Sequence, residues 1–300
     1  MKRNGNRWLA GWLLLSMSAS AFAWGREGHR MVALIAADHL TPVAAAQVHE
    51  LLGSESMADV ASWADDVRSE KPETAGWHFV DIPLNEKSYV RERDCPLPKN
   101  ADANTAATAW RDCAADRILY FESILKNPET PRAQRVDALK FLIHLIGDIH
   151  QPLHAIGEAR GGNSIKIILF GTQQCAERQT CNLHGAWDYG LIEHKRISEQ
   201  KYVAGLEAEI TELKLADKPI GNPISWTNAS HRAAVEAWVP NGGVIGKDYY
   251  DAEIPVLDRE LEFGGLHLAS VLNTLLVAAP HREGAPVLTP RPELQGQPSK

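Results

Sequence analysis

The chain has few cysteines, no long apolar run beyond its first two dozen residues, no internal repeat and no excess of positive charge. With four cysteines and no C-x2-C pair, a thiolate zinc site is disfavoured. No later stretch offers the ~20 consecutive apolar residues that a membrane-spanning helix needs. The lack of a low-complexity linker between residues 24 and 280 argues for one large domain rather than two. Lysine and arginine number 31 against 38 aspartates and glutamates, a formal net charge of −7. An acidic protein repels phosphate, so a basic groove is excluded as the means of holding a polyanion, and bound cations would have to take its place.

What is present begins with a leader. Lys2, Arg3 and Arg7 precede or flank an apolar stretch over residues 8–15, which runs into small residues ending Ala21-Phe22-Ala23. This is the pattern of a signal peptide over residues 1–23, cleaved ahead of Trp24. It predicts a soluble, secreted or periplasmic protein without stable membrane association. The mature chain would start with a free α-amino group on Trp24, and loss of three basic residues would leave it more acidic still. In an exported chain Cys95, Cys113, Cys175 and Cys181 read as two disulfides. Three connectivities are open, of which the local pairs Cys95–Cys113 and Cys175–Cys181 are the simplest.

Apolar periodicity predicts an all-α protein, a single mainly helical domain over residues 24–280. Helical spacing recurs over 30–52, 57–67, 105–126, 132–149, 184–193, 198–215, 223–238 and 257–279. The helix over 132–149 is stopped by Pro152, which lacks an amide proton and disfavours helix before it. Residues 71–104 read as loops, broken by Trp77-His78-Phe79-Val80. A short β-hairpin or strand is expected near 164–181, after the turn Arg160-Gly161-Gly162-Asn163. Residues 281–300, rich in proline and without periodicity, read as a disordered tail.

The most informative segment runs from Phe141 to His154. On a helix His144 and Asp148, four apart, share one face amid leucine and isoleucine. Alone, such a pair is as consistent with a structural hydrogen bond as with a metal site. A second pair at the same spacing, His184 and Asp188 in His184-Gly185-Ala186-Trp187-Asp188, favours the metal reading, and His154 adds a further imidazole. His39, His49, His150, His194, His231, His267 and His281 fall outside this pattern and read as surface or core residues. Asn228-Ala229-Ser230 fits a glycosylation sequon.

In chain order, Trp24 with His29, Asp65 in Ser62-Trp63-Ala64-Asp65, His78 in His78-Phe79-Val80-Asp81, then His144, Asp148, His154, His184 and Asp188 together resemble the S1/P1 nucleases. These are zinc-dependent, single-strand-preferring enzymes that share their fold with bacterial phospholipases C. The resemblance spans nearly the whole mature chain and implies three zinc ions. One would be held by Asp65, His78, His144 and Asp148; a second by His154, His184 and Asp188; a third by the Trp24 amino nitrogen and carbonyl oxygen, His29 and Asp148. Three carboxylates against three dications leave about +3 in the shell, enough to draw in a phosphodiester despite the acidic surface.

The resemblance further implies an endonuclease acting on single-stranded DNA and RNA, with nucleotides as small substrates and 5′-phosphate products. The expected assembly is a monomer. Asp65 would orient the attacking water and Arg68, one turn later, would contact the phosphate. The alternative for Arg68 is a surface cation paired with a nearby acid such as Asp65 or Asp66. Phe79 would stack on a base and Asp81 hydrogen-bond it, although Phe79 also suits a core. Asn163 matches a loop near the cluster and is otherwise a turn residue. Two rivals stand beside this reading. One is a zinc phospholipase C, against which the His-x3-Asp form of the last pair and the short Trp24–His29 interval argue. The other is a non-catalytic zinc-binding protein, which would leave Arg68, Phe79 and Asp81 without a task.

Overall fold

The structure, a computed structural model, describes residues 24–99, 101, 109–175 and 179–277. The expected leader, the proline-rich tail and His281 lie outside the described residues. In chain order the helices are α1 (Arg26–Asp38), α2 (Pro42–Leu52), α3 (Met57–Val60), α4 (Trp63–Asp66), α5 (Arg91–Asp94), α6 (Ala114–Lys126), α7 (Arg132–Asp148), α8 (Leu183–Gly185), α9 (Leu191–His194), α10 (Glu199–Glu212), α11 (Pro223–Glu236) and α12 (Lys247–Leu275). Two three-residue strands, β1 (Ile167–Leu169) and β2 (Gly243–Ile245), pair in parallel with Ile168 opposite Val244.

The second half of α7 is the centre of the core. From Ala138 to Asp148 nearly every residue is buried, including Leu139, Leu142, Ile143, Leu145 and Ile146. A helix apolar on all sides can only be stable when neighbours cover it all round. Here α6, α1, α2 and α12 do so, and α12 lies along α1 in turn. Among the described residues no helix is long and apolar enough to cross a membrane.

Several expected boundaries shift, each for a local reason. The spacing over 30–52 is two helices, because Pro42 starts a new one behind Thr41, whose side chain caps Ala44 N at 3.2 Å. The stretch 57–67 is likewise split into α3 and α4, the first opened by a capping box between Ser56 and Asp59. Of the helix expected over 105–126, residues 105–108 lie outside the described residues and the helix runs from Ala114, since residues 109–113 are tied down by Cys113 and by Arg111 N on the Asp116 carboxylate at 2.9 Å. The last helix begins ten residues before the expected Leu257. Pro255 is tolerated inside it because it faces solvent, where a lost hydrogen bond and a bend cost least. Within 71–104 the loop contains a 3-10 turn over Pro72–His78 and the short α5.

The expected strand is present, but its ladder partner is the distant β2. The hairpin-like contacts within 164–181 are isolated antiparallel bridges, Lys166 to Asn182 and Gln174 to Thr180. Both local disulfides are formed, Cys95–Cys113 and Cys175–Cys181. Cys95 and Cys113 lie near Asp116, but as a disulfide they offer no thiolate to a metal.

Candidate metal centre

Where α7 ends, the core turns polar. His144 Nε2 lies 3.2 Å from Asp148 Oδ2, one turn on. The 3-10 turn Pro72–His78 delivers His78, whose Nδ1 is 2.9 Å from Asp148 Oδ2 and 3.1 Å from His144 Nε2. From α4, the Asp65 carboxylate stands 3.7 Å from both imidazoles. These four residues form the first expected group.

The second group stands on two neighbouring pieces of chain. His154 comes from the 3-10 turn Pro152–Ala155 that follows α7. His184 and Asp188 lie on a run from α8 to α9 interrupted by a π-helical turn at Ala186–Gly190. Such wide turns commonly mark sites where side chains must be re-aimed. His184 Nε2 and Asp188 Oδ2 are 3.4 Å apart, and the rings of His154 and His184 stack at 5.0 Å. At the third position His29 Nε2 faces Asp148 Oδ1 at 3.4 Å, and its ring stacks on His144 at 3.9 Å. Trp24 is wholly buried beside them, its indole donating to the Gly147 carbonyl at 2.8 Å. Its neighbour Gly25 donates its amide to the Asp188 carbonyl at 2.7 Å.

The donor set fits cations. His144, His154 and His184 each donate Nδ1–H to a main-chain carbonyl at 2.7 Å, those of Ala61, His78 and Gly161 respectively. Each bond fixes the tautomer and leaves the Nε2 lone pair facing the cluster, the arrangement that metal-binding histidines use. Both nitrogens of His29, Nε2 of His154 and Oδ1 of Asp148 are buried with no hydrogen-bond partner. Unsatisfied groups in a dry interior are costly, and a metal ion is what would satisfy them. Gln151, buried between, donates to Asp188 Oδ1 at 2.6 Å and so steadies the carboxylate.

Proton affinities point the same way. Burial pushes His154 down to about 3 and His184 to about 4, so both are neutral imidazoles ready to ligate. Burial raises the Asp188 carboxyl well above its usual range. Against the pull of burial, Asp148 and Asp65 lift His144 to about 9. Burial likewise opposes ionisation of Asp148, but the charge of His144 and the nearby ring nitrogens of His29 and His78 hold it well below the usual range. Carboxylates that draw a proton onto His144 would draw a dication in its stead.

The cluster opens onto a cavity of about 610 Å³ whose wall includes His78, His154 and His184 together with Arg68, Phe79, Asp81 and Asn163. Phe79 is 37% exposed, which sets aside its reading as a core ring. Arg68 donates from Nη1 to Asp65 Oδ1 at 3.2 Å while lining the cavity, so it is both paired and presented. Asn163 bonds the Arg160 carbonyl at 2.9 Å. Sequence reasoning missed Gln151, the carbonyls of Ala61 and Gly161, and the cavity-lining Glu158 and Arg160. The carbonyls carry no side-chain signal; the Arg160-Gly161-Gly162 turn was visible only as a turn.

The remaining described histidines are structural or exposed. His150 bridges the Ile146 carbonyl and His267, and His231 bonds the carbonyls of Ala155 and Glu86. His39 pairs with Glu207, His194 stacks on Phe170 and His49 is exposed. The sequon is in structural use: Asn228 Oδ1 accepts from Tyr89 N at 2.7 Å, and buried Ser230 donates to the Ile149 carbonyl.

Gly161 gives a sharp test of this geometry. Its φ is +62°, and a Cβ there would meet the Leu153 carbonyl oxygen at 2.6 Å and His184 Nδ1 at 3.2 Å. Gly161→Ala is expected to destabilise the fold by about 2–4 kcal/mol, from left-handed strain plus the clash, and to weaken metal binding through His184. Chemical denaturation and metal content by elemental analysis check it; an unchanged midpoint and metal content would contradict the assigned contact.

Residues 24–277 match the S1/P1 nuclease family. The chain belongs to that family. Among its relatives, endonuclease 4 of Arabidopsis thaliana is 28% identical over 95% of this chain and 100% of that protein. Nuclease P1 of Penicillium citrinum is 26% identical over 84% of this chain and 97% of its own length. Nuclease S1 of Aspergillus oryzae is 26% identical over 87% of this chain and 94% of its own. The match covers every residue of the cluster, and the mainly helical fold with its small sheet accords with an S1/P1 nuclease.

Proposed function

We propose that this S1/P1 nuclease family member is a secreted, zinc-dependent endonuclease that hydrolyses phosphodiester bonds of single-stranded DNA and RNA to 5′-phosphate products. Nucleoside 3′-phosphates would be small substrates. The observation that carries this reading is the convergence of buried, unsatisfied imidazole and carboxylate atoms beneath a cavity with an exposed aromatic ring on its wall. Asp65, His78, His144 and Asp148 would hold one ion, and His154, His184 and Asp188 a second. Trp24, through its amino nitrogen and carbonyl oxygen, would hold a third with His29 and Asp148. Bound zinc lowers the pKa of a coordinated water to about 7 and offsets phosphate charge.

The chain's own groups bind and orient. Asp65, buried and 3.2 Å from Arg68, would accept a hydrogen bond from the attacking water and align it. Arg68 would take the phosphate in a bidentate contact. Phe79 would stack on the base of the leaving nucleoside, Asp81 would hydrogen-bond its edge, and Asn163 would steady the loop beside them. A stacked base must be free of its complement, which is the physical reason for preferring single strands. Both disulfides support export to an oxidising compartment.

The test incubates mature protein with single-stranded DNA, duplex DNA and phosphatidylcholine, each with and without a chelator. Cleavage is expected on the single strand, much slower on the duplex, absent on the lipid, lost on chelation and restored by zinc. About three zinc ions per chain are expected by elemental analysis. Chelator-resistant cleavage would overturn the zinc reading, and preferential lipid hydrolysis would make the protein a phospholipase instead.

A further inference from the structure

The turn over residues 157–163 is a bridge between the two ends of the cavity. At one end Gly157 N donates to the Ile82 carbonyl at 2.9 Å, and Gly157 lies directly against Asp81. At the other the Gly161 carbonyl accepts from His184 Nδ1 at 2.7 Å. Between them four successive residues take left-handed backbone angles: Ala159 at +47°, Arg160 at +59°, Gly161 at +62° and Gly162 at +80°. Two are not glycine, and L side chains rarely adopt such angles. The turn is held there by Gly162 N on the Glu158 carbonyl at 3.1 Å, Ser164 N on the Ala159 carbonyl at 3.0 Å, and Asn163 Nδ2 on the Arg160 carbonyl. The outcome is an exposed Arg160 on the cavity wall. Among the described residues its guanidinium has no hydrogen-bond or ion-pair partner, so its donors are open to a ligand in the cavity. Arg68 sits at the Asp65 end of the cavity; Arg160 sits on the loop that carries the carbonyl partner of His184.

We propose that Arg160 binds the phosphate 5′ to the nucleotide whose base rests on Phe79, one phosphate upstream of the bond that is cut. This rests on the nuclease reading above and adds a second recognition point to it. With the base against Phe79 and Asp81 and the departing 3′-oxygen at the His154–His184–Asp188 group, the ribose spans the 157–163 bridge. Its 5′ side then faces the guanidinium, whose planar fork suits two phosphate oxygens. A nucleoside 3′-phosphate lacks this upstream phosphate and an internal nucleotide of a strand has it, so Arg160 makes the enzyme favour strands over mononucleotides.

The test compares two dinucleotides cut at the same bond, one with a 5′-hydroxyl and one with a 5′-phosphate, using zinc-loaded protein. Wild type is expected to show kcat/KM about tenfold higher on the 5′-phosphorylated form, mostly through KM, the size of one charge-assisted contact. Arg160→Ala should bring that ratio close to one, and Arg160→Lys should keep part of it, with unfolding midpoint and zinc content as in wild type. A ratio that survives Arg160→Ala overturns the proposal, as does a wild-type enzyme blind to the 5′-phosphate. Failure to cut either dinucleotide would sink the nuclease reading itself, whereas equal cutting of both sinks only the role of Arg160.

Discussion

Asp148→Asn is expected to lower kcat/KM on single-stranded DNA by about 10³-fold or more, equivalent to ~4 kcal/mol of lost charge stabilisation, and to strip zinc from the protein. Asp148 is fully buried, with Oδ2 facing His78 and His144 and Oδ1 facing His29 at 3.4 Å. Asp148 thus puts a negative charge between the first and third expected groups. Asparagine keeps the shape but removes that charge, and an amide oxygen is a much weaker metal ligand than a carboxylate. Asp66→Asn serves as the control, since Asp66 is half exposed and paired with Arg26 at the surface. Such pairs contribute at most about 1 kcal/mol, and its activity should stay close to wild type. Steady-state hydrolysis and elemental analysis read both. An Asp148→Asn enzyme that keeps its full zinc and a tenth of its activity would remove Asp148 from the centre of the mechanism.

One alanine added ahead of Trp24 in the mature protein should cost about 100-fold in hydrolysis and one zinc ion per chain, with the helical content preserved. The main chain at Trp24 has no room to retreat. Its indole is held by the Gly147 carbonyl, the next residue is tied to the Asp188 carbonyl, and a Cβ on Gly147 would stand 2.8 Å from His29 Nδ1. A free amine has a lone pair for a metal; the nitrogen of a peptide bond, with its electrons delocalised into the carbonyl, does not. The measurement is activity and zinc content of the extended and mature proteins side by side, with circular dichroism to follow the fold. Equal activity in the two would refute a ligand role for the terminal nitrogen.

How much of this was legible in the chain depends on how local each feature is. The helix over 132–149 and the shared face of His144 and Asp148 follow from 3.6-residue periodicity, and α7 ends at Asp148, within one residue of the expected stop. His184 and Asp188 were expected as an α-helical pair. They do come together at 3.4 Å, but across a π-helical turn that no spacing announced. The start of α6 was misplaced because Cys113 and Asp116 anchor residues 109–113 through contacts outside their own segment. Pro255 hid the first turns of α12, since a proline reads as a boundary unless its exposure is known.

Residue type and spacing alone determined that this is a helical protein, that its imidazoles and aspartates fall in pairs suited to a metal, and which family's order they follow. Only the tertiary structure decided that His78 meets Asp148 across 70 residues and Trp24 meets Gly147 across 123. It alone decided that the carbonyls of Ala61, His78 and Gly161 aim three imidazoles, and that Arg160 stands on the cavity wall. The division has a simple cause. Backbone geometry repeats over three to four residues and can be read along the chain, whereas a buried polar cluster is stabilised by groups that only the packing of distant helices brings within bonding distance.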